Sequence, residues 1–263
     1  MLISGARRLW QWRGFIAETI RRDFAARNAG TAGVWNFVQP LAQIAVYILI
    51  FSHVMQARLP GSADTFAYGI FICAGLLPWQ LFADTVNRST QMFVEYGVQI
   101  KKAAFPRSAL LLTVTGSAFV NFVIVWCFFM LATASVGRFP GVTLLAVVPL
   151  LVLLLAMAAA LGLLLAVLNV YLRDVGALIA TVMPFLFWLT PIVWPLQIVP
   201  AAWHPVLQAN PLTGVVTALQ SAVLHQQWPH WGMLWPAVAF TVVTGVLAVV
   251  YYRKWSPGLA DEL

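Results

Sequence analysis

The hydrophobic pattern changes character near residue 30. Before it, Leu9, Trp12, Ile16, Ile20 and Phe24 recur at helical spacing over residues 7–27 and form one apolar face. Arg7, Glu18, Arg21 and Arg22 lie roughly opposite, and only Arg13 intrudes on the apolar side. This predicts an amphipathic helix, lying in the headgroup plane of a membrane with its apolar face down or solvated and packed on a neighbouring subunit. Beyond residue 30 the apolar residues fill whole blocks, each close to the ~20 residues that cross a bilayer. Charged residues bracket these blocks and predict six spans, at about 35–56, 66–86, 109–135, 142–170, 176–194 and 233–252. Pro40 falls in the first turns of span 1, where a missing N–H is tolerated. Within span 2 the run Gly75-Leu76-Leu77-Pro78-Trp79 reads as a helix break.

The stretch between spans 5 and 6 follows another rule. From Val175 to Tyr252 there is no Lys, Arg, Asp or Glu, yet Pro184, Pro191, Pro195, Pro200, Pro205, Pro211, Pro229 and Pro236 punctuate it. A water-exposed loop would be more polar. Residues 197–225 are therefore expected to form short re-entrant helices in the outer half of the membrane. Non-helical backbone at that depth survives only where protein or a watery cavity satisfies it, which points to a channel mouth.

Composition closes off the soluble alternatives. With 62% hydrophobic and 9% charged residues and a mean hydropathy of +0.87, the 263-residue chain lacks the polar surface of a water-soluble enzyme. The expected fold is an all-α polytopic membrane protein, a single transmembrane domain over residues 1–263. The net charge of +7 would suggest nucleic acid, but six of the fifteen Lys/Arg lie in the first 27 residues and four more between Arg88 and Arg107. Basic clusters beside apolar spans instead record membrane orientation. Six spans leave only Arg58 and Arg138 on one side and the other thirteen cations opposite, which places both termini in the cytoplasm. Cys73 and Cys127 lie inside apolar runs and are expected as core residues. No continuous apolar core follows the first basic residues, so a secretory signal is not expected.

The chemistry is sparse. None of Lys101, Lys102 and Lys254 belongs to a phosphate-binding GxxxxGK[ST] loop, so a standard nucleotide site is not expected here. His53, His204, His225 and His230 lack ligand spacing, and no metal site is expected. Asp84 stands four residues before Arg88 and reads as an ion pair or as a proton relay. The relay reading describes a proton-driven flippase. A membrane-embedded enzyme acting on lipid-linked sugars would have to use Asp84 and Glu95. Two segments on the cytoplasmic side read as docking elements or as topological anchors: residues 97–107, with Lys101, Lys102, Phe105, Pro106 and Arg107, and residues 169–175, with Tyr171, Arg173 and Asp174. Ala158, Gly162 and Ala166 repeat every fourth residue and permit close helix approach, at a dimer seam or inside the subunit.

Taken together, Gly75–Trp79, Ile100–Arg107, Asn169–Val175, Thr190-Pro191-Ile192-Val193-Trp194-Pro195 and Asn210-Pro211-Leu212 resemble, in matching order, motifs of the permease subunits of polysaccharide-exporting ABC transporters. That family moves lipid-linked O-antigen, capsule polysaccharide or teichoic acid across the bacterial inner membrane, and O-antigen is the expected cargo. The resemblance implies a homodimer of six-span subunits working with two copies of a separate ATPase, which binds the ATP and magnesium. It implies ATPase coupling through Lys101, Lys102, Phe105, Pro106, Arg107, Tyr171, Arg173 and Asp174. It also makes the N-terminal amphipathic helix an interface helix and residues 197–225 a gate, with Pro191, Pro195, Pro200, Asn210 and Pro211 in the gate region. Sugar rings pack on flat aromatic faces, and Trp79, Phe82, Phe185, Trp188 and Trp194, near predicted breaks or span ends, are the substrate-channel candidates. Each would serve equally as an interfacial lipid anchor.

Overall fold

A computed structural model of the protein describes residues 13–27, 66–97 and 107–255, together with isolated positions between 35 and 50 and Gly258. The predicted span 35–56, residues 7–12 of the amphipathic helix and the segment holding Lys101, Lys102, Phe105 and Pro106 lie wholly or almost wholly outside the described residues. Within the described residues the regular structure is helical, without strands: α1 (Arg13–Arg27), α2 (Ala67–Glu95), α3 (Arg107–Ser135), α4 (Leu144–Tyr171), α5 (Val175–Leu189), α6 (His204–Ala209), α7 (Pro211–Gln220) and α8 (Trp235–Trp255). Among them, α2, α3, α4 and α8, the last two with their leading 3-10 turns, are long and apolar enough to cross a membrane.

α2 is the central post. It packs on α3, α4, α5 and α7, and α4 is held between α2 and α8. Ile72, Phe82, Leu150, Leu154, Met157, Leu212 and Leu219 form the fully buried centre. A second cluster of Met92, Phe93, Leu110, Val167 and Val170 joins α2, α3 and α4 at the end that also holds Trp255, here termed proximal. The opposite end, with Ala67 and Pro191, is distal. The best window of α4 has a mean hydropathy of 3.0 although only half of it is buried. Its outward half is therefore as apolar as its inward half, which suits hydrocarbon and not water.

Four expectations are corrected. The predicted break at Gly75–Trp79 is absent: α2 runs straight through with Pro78 inside it. That stretch is buried, and in dry surroundings a break would strand several further N–H and C=O groups, so the helix gives up the one bond that Pro78 cannot donate and keeps the rest of the ladder. Span 2 does not end near residue 86 either: the helix continues to Glu95. Arg88 lies 3.4 Å from Asp84 and donates to Ser117 Oγ at 2.7 Å, so both charges are compensated within the bundle. Span 5 stops at Leu189 and not at Trp194, because Pro191 forces Thr190 into extended backbone (φ −103°, ψ 135°). Finally, Cys73 is buried but Cys127 is exposed on α3. A helix that is apolar all round carries no phase from which to read its inward side.

α1 lies against α3, where Ile20 covers Gly116; a Cβ there would fall 2.6 Å from Ile20 Cδ1. Its charged side is exposed and carries the Glu18–Arg22 pair at 3.0 Å.

The small-residue repeat on α4 faces inward. Ala158 and Ala166 are fully buried, and a Cβ on Gly162 would lie 2.5 Å from Ser89 Cβ of α2. The alternative of a dimer seam at this stripe is thereby removed. Because both atoms are fixed to backbone, rotamer changes cannot relieve the contact. Gly162→Ala is expected to push α2 and α4 apart and to cost roughly 1–3 kcal/mol, the usual range for overpacking. Thermal unfolding of the purified protein in detergent reads the loss, and adding Ser89→Gly should restore most of it.

Candidate functional site: a broken helix end and a braced turn

At the distal end, α5 stops at Leu189 and the chain bends through Thr190–Pro195 before reaching the short helices. A helix end leaves carbonyls without partners, and a proline two residues later removes the chance of recovering them by continuing the helix. Each carbonyl from Leu186 to Val193 nevertheless has a partner. Thr190 closes the last turn, its Oγ1 donating to Leu186 O (2.8 Å) and its N–H to Phe187 O (3.2 Å). Trp194 Nε1 donates to Trp188 O at 3.3 Å, and Asn210 Nδ2 reaches Leu189 O at 3.5 Å and Thr190 Oγ1 at 3.0 Å. Ile192 N donates to Thr190 O at 2.7 Å. Gln220 Nε2 lies 3.2 Å from both Pro191 O and Ile192 O, and Tyr68 Oη donates to Val193 O at 2.8 Å.

The local sequence builds these donors into place. Asn210 is the N-cap of α7: its Oδ1 accepts from Leu212 N at 3.0 Å, and Pro211 occupies the first turn, where no N–H is needed. One side chain therefore starts α7 and clamps the end of α5. The apolar face of α7, with Leu212, Val215, Val216 and Leu219, is buried against α2, α4 and α8. That packing sets Gln220 against α2, where its amide also reaches Phe71 O at 3.4 Å. Gly75 makes the approach possible, since a Cβ there would fall 2.7 Å from Gln220 Nε2 and 3.2 Å from Val216 Cγ1.

The gate-region residues separate in the structure. Pro191 and Pro195 are buried, Pro200 is exposed, and Asn210 and Pro211 open α7. Between them the chain forms 3-10 turns at Leu196–Ile198 and Ala201–Trp203 and then α6. The aromatic candidates separate too. Trp79 and Phe82 are part of the subunit core, with Trp79 edge-on to Phe187 of α5 at 5.7 Å. Trp194 is half-buried at the bend. Phe185 and Trp188, three residues apart on α5, are 67% and 63% exposed and form one outward aromatic face.

At the proximal end, the chain turns sharply between α4 and α5. Asn169, buried, donates from Nδ2 to Thr90 O of α2 at 3.2 Å and accepts at Oδ1 from Gly176 N at 2.8 Å. Leu172 O accepts from Val175 N at 3.0 Å. Tyr171 donates to Trp255 O at 3.1 Å, and its ring lies 4.7 Å from the Trp255 ring. The turn is thus braced from behind by α2 and α8. Arg173 and Asp174 stand exposed at its tip. Asp174 is the N-cap residue of α5, but its carboxylate makes no capping bond, so its charge is not spent on the helix it begins. A cavity of about 480 Å³, lined by Gln91, Val94, Asn169, Arg173 and Gly176, opens beside it. Arg107 begins α3.

The sequence profile of the ABC-2 type transporter family matches residues 16–224, which take in both ends of this architecture. The chain belongs to that family of membrane transport proteins. It is 27% identical over 248 residues to the O-antigen export system permease protein RfbA of Myxococcus xanthus, covering 92% of each chain. It is 25% identical over 189 residues to the RfbA permease of Klebsiella pneumoniae, covering 70% of this chain and 69% of that one. It is 23% identical over 241 residues to the polysialic acid transport protein KpsM of Escherichia coli, covering 91% and 90%.

Gln220 and Tyr68 were not among the site residues expected from the sequence, and Asn169 was placed only within the 169–175 segment, without a role of its own. Each is a hydrogen-bonding side chain in or beside an apolar run, and the partners that tie it to another helix or to the bend lie 28 to 149 positions away. In this ABC-2 family member, Gln220→Leu keeps the volume and removes the donor. It should cost roughly 1–3 kcal/mol for each carbonyl left unpaired, read as a lower melting temperature in detergent. Gly75→Ala should destabilise through the same amide. A double-mutant cycle then decides the cause: Gly75→Ala is expected to cost much less in a Gln220→Leu background, and additive losses would disprove the coupling.

Proposed function

We propose that this chain is the membrane-channel subunit of an ATP-driven exporter that moves lipid-linked polysaccharide, O-antigen first, across the bacterial inner membrane. The observation that carries the reading is similarity over nine-tenths of the chain to a permease named for O-antigen export. The similarity to polysialic acid transport proteins over a comparable length favours capsule polysaccharide as the second reading. Teichoic acid export would use the same subunit plan.

In this reading the chain works as a homodimer with two copies of an ABC ATPase. ATP and magnesium sit on that partner, and the chain needs no nucleotide site, metal or catalytic residue of its own. The span at 35–56 and α5 complete a six-span subunit with both termini in the cytoplasm, and the proximal end faces the ATPase. α5, at 15 residues or about 22 Å, needs the bent segment after it to reach the far surface. Residues 197–225, with α7 buried among the spans, form the re-entrant gate. α1 is the interface helix in the headgroup plane.

Coupling then follows from stiffness. Closure of the ATPase pair presses on the Tyr171–Asp174 turn and on Lys101, Lys102, Phe105, Pro106 and Arg107. The turn cannot yield locally, because Asn169 ties it to α2 and Tyr171 ties it to α8. The exposed Arg173 and Asp174 supply a charge pair for the partner, and the adjoining cavity takes its protruding side chain. The outward Phe185–Trp188 face of α5 offers flat surfaces to passing sugar rings. In this reading Asp84 serves as the ion-pair partner of Arg88 and not as a proton relay.

Arg173→Ala and Asp174→Ala are expected to leave the protein in the membrane at normal levels while uncoupling export from ATP hydrolysis. The check is surface glycan on a deletion strain carrying each variant, alongside ATPase activity of the purified complex. Normal export by both variants refutes the role of the turn. The glycan that disappears from the surface on deletion separates O-antigen from capsule. Export that persists without ATP and depends on Asp84 would replace the exporter by a proton-driven flippase.

A further inference from the structure

A cavity of about 450 Å³ opens at the distal end, between α7, the turn that follows it and the Pro195–Gln197 bend. It lies within the ~300–1,000 Å³ range of small-molecule sites. Its walls include Gln197, Ser221, His225, Gln227, Trp228 and His230. No carboxylate, lysine or arginine is among the described residues lining it. The described walls therefore offer neither of two common recognition chemistries. Phosphate recognition relies on Arg or Lys, and hard cations need carboxylate oxygens. The polar groups on these walls are amides, imidazoles and hydroxyls, which both donate and accept; the larger part of the lining is apolar, from Phe71, Leu196 and Met233 beside the flat ring of Trp228.

The frame around the cavity is built against local preference. After α7 the chain widens into one π-helical turn, Ser221–His225, and then places Gln226 in the left-handed region at φ 53°. Neither is favoured by a glutamine-containing chain on its own, and both recur at functional sites. Tertiary bonds hold them. Thr143 Oγ1 donates to Ala222 O at 2.8 Å, and Gln226 Nε2 donates to Phe139 O at 3.1 Å. Gly214 lets the next segment close in, since a Cβ there would fall 2.5 Å from Met233 O. The result is that Gln227–His230 is folded back over α7 and Trp228 stays 55% exposed.

We infer that this distal cavity is a binding site for a neutral sugar unit, with the Trp228 ring stacking on the sugar face and Gln197, Gln227, His225 and His230 bonding its hydroxyls. The assignment rests on the polysaccharide-export reading and adds to it a specific point of contact at the end opposite the ATPase turn. Gln220, which closes the floor of the cavity, is also the side chain that satisfies Pro191 and Ile192. A sugar in the site therefore sits directly on the bond network of the broken helix.

The test uses the full chain in phosphatidylcholine nanodiscs, probed by saturation-transfer NMR with mannotriose and galactotriose. Binding of at least one sugar is expected, weakened about tenfold or more by Trp228→Ala and by Gln227→Ala, and largely kept by Trp228→Phe, which retains a flat ring. Trp228 is exposed, so its melting temperature should hold and show that the loss is local. Absence of transfer to both sugars, equal binding by the variants, or phosphate-31 line broadening that Trp228→Ala abolishes while sugar binding is unchanged overturns the site. In cells, Trp228→Ala should lower surface glycan at normal protein level. If deletion of the chain removes no surface glycan, the exporter reading fails, and the nanodisc result still decides the site.

Discussion

The structure depends on finding partners for the backbone of one broken segment. Where α5 gives way at Thr190, the carbonyls that a continuing helix would have used are left without N–H donors. In water they would bond to solvent; between apolar helices each orphan costs several kcal/mol. Tyr68 from α2 and Asn210 and Gln220 from either end of α7 meet that need. Their positions fix α7 in the bundle, and α7 in turn fixes the strained turn over the distal cavity. A bent segment among apolar helices thus becomes the organising centre of the distal end and not a defect in it.

The proximal end solves a smaller version of the same problem. The turn between α4 and α5 has few residues in which to satisfy its backbone, and Asn169 alone bridges Thr90 O and Gly176 N. Here the satisfied groups face inward and the charges face out. α2 takes part at both ends, through Phe71 and Gly75 at one and Thr90 at the other, separated by 15 to 19 residues or about 22–29 Å along the helix. A continuous helix through Pro78 is therefore more useful than the break its sequence suggests, because only an unbroken rod keeps the two ends in register.

Much of this was legible from charge and block length alone. The cores of α2, α3, α4 and α8 follow from apolar runs between charges, whereas the stop of α5 came five residues before the expected one, at Leu189 and not at Trp194. Asn210-Pro211-Leu212, read from the sequence only as part of the family-like motif set, turns out to open a helix at Pro211. The misreadings around α2 share one cause. In an all-apolar helix, neither a proline nor a glycine declares whether it marks a bend or a contact, and only the neighbour decides. Pro78 is carried inside a helix because its surroundings are dry, and Gly75 makes room for Gln220. Trp79 and Phe82, chosen for their nearness to a break, belong to the core, while Phe185 and Trp188 three residues apart on α5 face outward.

The sequence by itself determined the membrane class, the approximate positions of the long helices and the proline-punctuated stretch between spans 5 and 6. Those properties are set by local composition and by the cost of placing charge or unpaired backbone in hydrocarbon. Only the tertiary structure decided which polar side chain satisfies which carbonyl, which way each apolar helix faces, and that Gly162 serves an internal contact. The physical reason is that a hydrogen-bond donor and its acceptor, or a glycine and the atom it admits, are matched by proximity in space. Gln220 and Phe71 are 149 positions apart along the chain, and nothing local to either records the other.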